Sequence, residues 1–293
     1  MRFDSYHPVI NLIYFVTVLI CTVKFFHPVF LCLAYLSAFL WSAKLNGKKA
    51  LIFNLCLIPV IFLYTGWYSF YNHFGMTILG YNFIGNQITL ESIVYGFVRG
   101  VAAVSVVMEC TCIFAVVTTD KVVYLLGRIS PRLSLACSIL LRMTPRIIGW
   151  AKKTERARQG IGKGIGQGNP WKRFLHLVAL LSMTITWTME NLVESAASMK
   201  CRGSSLKGRT AFSMYRFDDR DRMMVVAFVF GIMVTTLANT AGETNILYQP
   251  MIMMKPITMS SIVCYLIYGM MLLLPLGLQI IGEIRFEQMR KHI

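Results

Sequence analysis

Long apolar segments separated by short polar ones dominate the pattern of this chain. A helix needs about 20 mainly apolar residues to cross the hydrocarbon core of a bilayer. Six segments approach or exceed that length, and we predict that each is a membrane-spanning helix: residues 9–26, 29–43, 50–71, 90–118, 223–241 and 257–282. The first two meet at His27-Pro28, where proline favours a tight turn between antiparallel spans.

Positive charge is distributed unevenly between the loops of this arrangement. The loop between the second and third spans carries Lys44, Lys48 and Lys49, whereas residues 72–89, between the third and fourth, contain no lysine or arginine. Lysine and arginine are enriched in the cytoplasmic loops of membrane proteins. We therefore predict that both termini and residues 119–222 are cytoplasmic.

The composition agrees with a membrane protein. The chain has 293 residues, 56% hydrophobic and 14% charged, with a formal net charge of +16; globular proteins average about 25% charged residues. Such a basic chain can bind nucleic acid, but here the basic residues alternate with apolar spans, so we expect a lipid bilayer as partner and no nucleic acid. The eight cysteines show no metal-ligand spacing, and we predict no metal site and no cofactor.

Residues 119–222 differ from the rest of the chain. They carry 19 Lys and Arg against 7 Asp and Glu, a local net charge of +12. Their apolar runs, 132–150 and 174–189, are interrupted or flanked by basic residues, so we predict two long cytoplasmic helices rather than further spans. The predicted organisation is all-α, in three parts: an N-terminal membrane part with four spans (1–118), the cytoplasmic segment (119–222), and a C-terminal membrane part with two spans (223–293).

A glycine-rich stretch, GIGKGIGQGNP, connects the two cytoplasmic helices. A phosphate-binding loop of the Walker type requires a serine or threonine after the Gly-Lys pair. Gly164 follows Gly162-Lys163 here. We therefore predict a flexible connector that does not bind nucleotide.

Three aspartates, Asp218, Asp219 and Asp221, precede the fifth span. Clustered aspartates can hold Mg²⁺ in membrane enzymes that act on diphosphates, so a membrane-embedded enzyme using Asp218–Asp221 is one alternative function. An aspartate at the start of a helix also caps its free N–H groups and suits the helix dipole. We favour capping, and we predict no catalytic residue.

Arg99 and Glu109 lie inside the fourth span, well away from its ends. Charge within a bilayer is costly and marks a possible functional site. Arg99 and Glu109 are ten residues apart, about 15 Å along a helix, so they cannot pair directly. We expect Glu109 to face protein and Arg99 to extend outward; a channel using both is a further alternative.

The two cytoplasmic helices end in similar tails, Ala157-Arg158-Gln159-Gly160 and Cys201-Arg202-Gly203. A basic last turn followed by a capping glycine accounts for either tail alone. The pair also suits two exposed guanidinium groups that enter two equivalent acidic pockets of a paired partner. The candidate coupling residues are Ala157, Arg158, Gly160, Cys201, Arg202 and Gly203.

Three stretches carry a family resemblance: HPVINLI, RMTPRIIGWAKKTERARQGI and ESAASMKCRGSSLKGRT. With the topology, they resemble the transmembrane T component of energy-coupling factor (ECF) transporters, the EcfT/CbiQ-like family, whose mark is two Ala-Arg-Gly motifs. Cys201 replaces the alanine of the second motif, and Gln159 stands where the first has glycine.

The resemblance implies a non-enzymatic subunit of a vitamin or metal-ion importer in a prokaryotic cell membrane. Its implied partners are two ABC-type ATPase subunits, which hydrolyse ATP, and a membrane S component, which binds the substrate. A conventional ABC permease is the nearest alternative, because Glu194-Ser195-Ala196-Ala197 is similar to the start of an importer coupling loop.

Overall fold

Helices make up most of the computed structural model, which describes residues 3–81, 83, 85–203, 206 and 215–291. The helices are α1 (Pro8–Lys24), α2 (Pro28–Tyr71), α3 (Leu90–Val116), α4 (Thr119–Ile129), α5 (Pro131–Gly160), α6 (Pro170–Cys201), α7 (Asp219–Thr240) and α8 (Met259–Lys291). Two short antiparallel hairpins pair β1 (Ile78–Tyr81) with β2 (Gln87–Thr89), and β3 (Ile246–Leu247) with β4 (Met253–Met254). The predicted all-α class is confirmed, and the hairpins are an addition to it.

The chain folds as two compact units. The first, called the membrane unit here, comprises Met1–Thr118 and Tyr215–Ile293; the second, the inserted unit, comprises Thr119–Met214. Among the described residues, α2, α3, α7 and α8 are long and apolar enough to cross a membrane, and all four belong to the membrane unit. The chain therefore has the character of a membrane protein.

The predicted count of about six spans is not confirmed, because the described residues contain four helices of spanning length. Helix α1 has only 17 residues, although it is apolar. Helix α2 has 44 residues and continues through the predicted loop at Lys44–Lys49. Its one break is Gly47, with φ 66° and ψ −150°, a conformation that glycine adopts without steric cost.

The first half of α2 runs parallel to α3. Leu31 shares a buried apolar cluster with Val98. Further along both helices, the Ser42 and Thr111 hydroxyl oxygens lie 3.0 Å apart. Residue numbers therefore increase in the same direction along both helices.

The second half of α2 runs antiparallel to α3. A Cβ atom added at Gly96 would lie 3.2 Å from Cβ of Tyr68, and one added at Gly100 would lie 3.3 Å from Ile61. Here the numbers rise in α2 as they fall in α3, so the chain reverses direction at Gly47. The two glycines allow this close approach, as small residues four apart do between membrane helices.

Aromatic side chains of α1 and α2 fill the core of the membrane unit. Phe15 stacks on Trp41 with ring centroids 5.4 Å apart, and Tyr14 lies 5.5 Å from Phe228 of α7. The Tyr14 hydroxyl donates to the Leu272 carbonyl of α8 at 3.1 Å. This cluster holds four helices together.

The turn predicted at His27-Pro28 is confirmed: α1 ends at Lys24 and α2 begins at Pro28. His27 caps α2, because its Nδ1 accepts the backbone N–H of Val29 at 3.3 Å. An acceptor at the N-cap satisfies one of the free N–H groups of the first turn.

Candidate functional site

The candidate site lies in the inserted unit, on two long helices. The predicted apolar runs 132–150 and 174–189 fall within α5 and α6, and a proline begins each helix. Proline is favoured there because its missing N–H would have no helical partner. Neither helix is among those of spanning hydropathy in the described part of the chain.

The C-terminal half of α5 packs antiparallel on α6. Trp150 and Trp187 stack with ring centroids 4.8 Å apart and planes inclined by 13°. Nearer the connector, Arg158 of α5 reaches His176 and Met183 of α6. A stacked aromatic pair and a set of polar contacts therefore join the two helices.

Arg158 is buried, with 8% of its surface exposed. Its Nε donates to the Lys163 carbonyl at 3.3 Å, Nη2 to the His176 carbonyl at 3.4 Å and Nη1 to the Met183 sulfur at 3.6 Å. The expectation of two exposed arginines is wrong for Arg158. The physical reason is that the connector folds back and presents a carbonyl that needs a donor.

The connector itself is hydrogen-bonded to the end of α5. The Ile165 N–H donates to Glu155 Oε1 at 2.7 Å, and Gln167 Nε2 donates to the Gln159 carbonyl at 3.3 Å. Gln167 Oε1 also accepts the Gly164 N–H at 3.0 Å. The stretch predicted as a flexible connector is therefore a folded loop in this structure.

The two helix ends are capped in different registers. Gly162 (φ 75°) closes α5, and the Lys163 N–H donates to the Arg158 carbonyl at 2.9 Å. Gly203 (φ 75°) closes α6, and its N–H donates to the Lys200 carbonyl at 3.0 Å. Arg202 thus directly precedes its left-handed glycine, whereas Arg158 lies four residues before its own. The two tails are similar in sequence and differ in geometry.

Arg202 has the environment that the sequence predicted. It caps α6 and is exposed, and its guanidinium has no hydrogen bond or ion pair among the described residues. Ala157, Gly160 and Cys201 are exposed as well, and Gly203 is half-buried. Residues 204–205 and 207–210, which belong to the family-like stretch ESAASMKCRGSSLKGRT, lie outside the described residues.

Asp218 and Asp221 form a capping box at the start of α7. Asp221 is buried, and its carboxylate accepts the Asp218 N–H at 3.1 Å and the His7 N–H at 3.3 Å. Asp219 forms a salt bridge with Arg222 at 3.1 Å. In the described part of the chain, no group of three or more His, Cys, Asp or Glu could hold a metal ion. The capping prediction is confirmed, and the enzyme alternative gains no support.

Arg99 and Glu109 of α3 are placed as predicted. Glu109 is 5% exposed and accepts a hydrogen bond from the Thr22 hydroxyl of α1 at 3.2 Å, so it faces protein. Arg99 is exposed and bonds to Tyr95 instead. The two charges do not meet.

A comparison of the chain with models of known protein families and with curated proteins finds no significant match. The family resemblance therefore rests on the quoted stretches and on the order of the helices.

Proposed function

We propose that this chain is the transmembrane coupling subunit of an ABC-type importer, of the T-component kind. Arg202 supports the proposal, because it is exposed and its guanidinium has no hydrogen bond or ion pair among the residues that the structure describes. It ends a long helix of a separately compact basic unit that the chain inserts between membrane helices. A guanidinium mounted on a helix end can make paired hydrogen bonds to a carboxylate in a partner's groove.

In this proposal, two ATPase subunits bind the inserted unit on the cytoplasmic side of a prokaryotic cell membrane. They hydrolyse ATP, and the chain itself is not an enzyme. Arg202 docks into one ATPase in the conformation described. Movement of α6 is transmitted to α5 through the Trp150–Trp187 stack. From α5 it is transmitted to a membrane S component that carries a vitamin or metal ion.

Arg158 is the second docking residue in this proposal. Its guanidinium is bonded within the subunit, so it docks into the other ATPase only after the contacts with Lys163 and His176 are released. The candidate coupling residues therefore engage in order, Arg202 before Arg158.

The test is co-purification of the ATPases with variants of the complex. Losing one partner of a buried charged contact costs about 2–5 kcal/mol, so Arg202→Ala should weaken ATPase binding at least about thirtyfold. Arg202→Lys should rescue poorly, because an ammonium lacks the planar fork. Lys200→Ala, an exposed cation two residues earlier, is the matched control and should bind normally.

Arg158→Ala should show a different signature. It should lower the Tm of the chain without partners, because hydrogen bonds to a charged group contribute about 1.5–3 kcal/mol each; Arg202→Ala should not. Normal ATPase binding and transport by the Arg158→Ala/Arg202→Ala double variant would refute the proposal.

A further inference from the structure

Arg99 is an exposed cation within a helix of spanning length. It lies nine residues after Leu90, the first residue of α3, so its Cα is about 14 Å along the helix axis from that end. An arginine at such a depth is costly unless its head group reaches a polar region or a counter-charge.

The side chain of Arg99 extends toward the α1–α2 turn. Its Nε donates to the Tyr95 hydroxyl at 3.0 Å, and Tyr95 lies one turn nearer the start of α3. The guanidinium carbon lies 5.0 Å from the ring centroid of Phe26 and 5.3 Å from that of Tyr95. Phe26 belongs to the turn between Lys24 and Pro28. The charge is thereby carried toward the start of α3, the direction in which a long basic side chain would reach the lipid headgroups.

The two rings that hold the guanidinium are themselves fixed. The Tyr248 hydroxyl donates to the Phe26 carbonyl at 2.7 Å, and the Tyr248 and Tyr95 rings lie 5.2 Å apart. Phe74 packs edge-on against Tyr95 at 5.6 Å. Aromatic side chains cluster in this way at membrane boundaries, and here they orient a cation through its π-contacts.

The guanidinium lacks an anionic partner in the part of the chain that the structure describes. The salt bridges found there are Lys44–Glu283, Arg222–Asp219 and Lys255–Glu243. Nη1 and Nη2 of Arg99 have no hydrogen-bond acceptor among the described residues. Two neighbouring N–H pairs on a planar cation match the oxygens of a phosphate group.

We propose that Arg99, held by Phe26 and Tyr95, is a binding site for the phosphate group of an anionic phospholipid at this boundary of the membrane. A lipid is the favoured source of the phosphate, because the guanidinium is exposed on the side of a spanning helix, where headgroups surround the protein. The proposal depends on the membrane position of α3 and is independent of the coupling function.

The test counts lipids bound to the full chain. The protein is purified in mild detergent, phosphatidylglycerol is titrated in, and native mass spectrometry measures the occupancy of each adduct. Arg99→Gln should weaken the tightest adduct about tenfold, the effect of losing a charge-assisted contact. Arg99→Lys keeps the charge without the planar fork and should weaken lipid binding about threefold. If Arg99→Gln does not fold, the Arg99→Lys variant tests the proposal.

Lys24→Gln is the matched control, because Lys24 is an exposed cation at the same end of α1 as Phe26. It should leave the adduct unchanged. Equal retention by wild type and both Arg99 variants would overturn the proposal. Displacement of the lipid by inorganic phosphate at equal concentration would also overturn it, since the site would then take soluble phosphate.

Discussion

At the residue scale, His7 and His27 cap the N-termini of α1 and α2 in the same way. Each precedes a proline, and each accepts a backbone N–H through Nδ1, from Val9 at 3.4 Å and from Val29 at 3.3 Å. A ring nitrogen that accepts carries no proton, so the cap exists only with neutral imidazole. His27 also places Nε2 3.2 Å from the Tyr265 hydroxyl.

Acidification should therefore weaken the membrane unit through His27. Burial lowers the pKa of His27 below its ordinary value of 6.5, and the nearby Glu243 carboxylate offsets this only in part. With a folded pKa below the unfolded one, the stabilisation is complete above pH 6.5 and is lost as the pH falls below it. His27→Asn keeps an N-cap acceptor that does not titrate.

The measurement is Tm against pH from 5 to 8 in detergent. The Tm of the wild type should fall on the acid side more steeply than that of His27→Asn. His73→Asn, which changes an exposed histidine after α2, should behave as wild type. Parallel curves for wild type and His27→Asn would contradict the role given to the cap.

The sequence predicted the exposure of Arg202 and did not predict the burial of Arg158. Helix periodicity places a side chain on a face, but burial of Arg158 arises from the fold of the connector onto α5. Gly162 was the available signal, because a glycine two residues past a helix end often closes it. Its presence places the α5 cap beyond Gly160.

At the element scale, apolar length made the long helices predictable, and a change of direction between residues 43 and 50 was predicted as well. The sequence did not predict that α2 continues through three lysines and reverses at a single glycine, Gly47. The hairpins were missed because their strands have only two to four residues, too few for a clear alternation. The four-residue spacing of Gly96 and Gly100 is a sequence signal of close helix packing.

Gly100→Leu should destabilise the packing of α2 on α3. A Cβ there would lie 3.3 Å from both the Ile61 side chain and its carbonyl oxygen. Overpacking of this kind costs about 1–3 kcal/mol, so the Tm in detergent should fall. Gly66→Leu is the control, because nothing lies within 4 Å of a Cβ at Gly66. An equal Tm for the two variants would contradict the close approach.

At the scale of the whole molecule, the reversal at Gly47 supports a six-crossing topology as a proposal. Each half of α2 would cross once, together with α1, α3, α7 and α8, and both termini would be cytoplasmic. A helix of 44 residues is about 66 Å long if straight, roughly twice the thickness of the hydrocarbon core. Two opposed halves fit that thickness.

Single cysteines in a cysteine-free chain test this topology. An impermeant thiol reagent should label Gly80→Cys and Asn245→Cys in intact cells, because both lie in loops with little positive charge. Asn46→Cys and Gly166→Cys, both at exposed positions, should react only after permeabilisation. Labelling of Gly166→Cys from outside would place the inserted unit on the wrong side and end the coupling proposal.

The bond between the Tyr14 hydroxyl and the Leu272 carbonyl joins positions 258 residues apart. During synthesis the chain emerges from its N-terminus, and domains generally fold as they appear. The halves of α2 can pack on α3 early, and the inserted unit can fold next. Helix α1 can pack on α2 and α3 early as well, through the Phe15–Trp41 stack and the Thr22–Glu109 hydrogen bond. Its contact with α8 must wait, so ribosome-bound chains that end before Leu272 hold the Tyr14 hydroxyl without this acceptor. The contact between α1 and α8 that completes the membrane unit therefore forms late in the folding of each newly made chain.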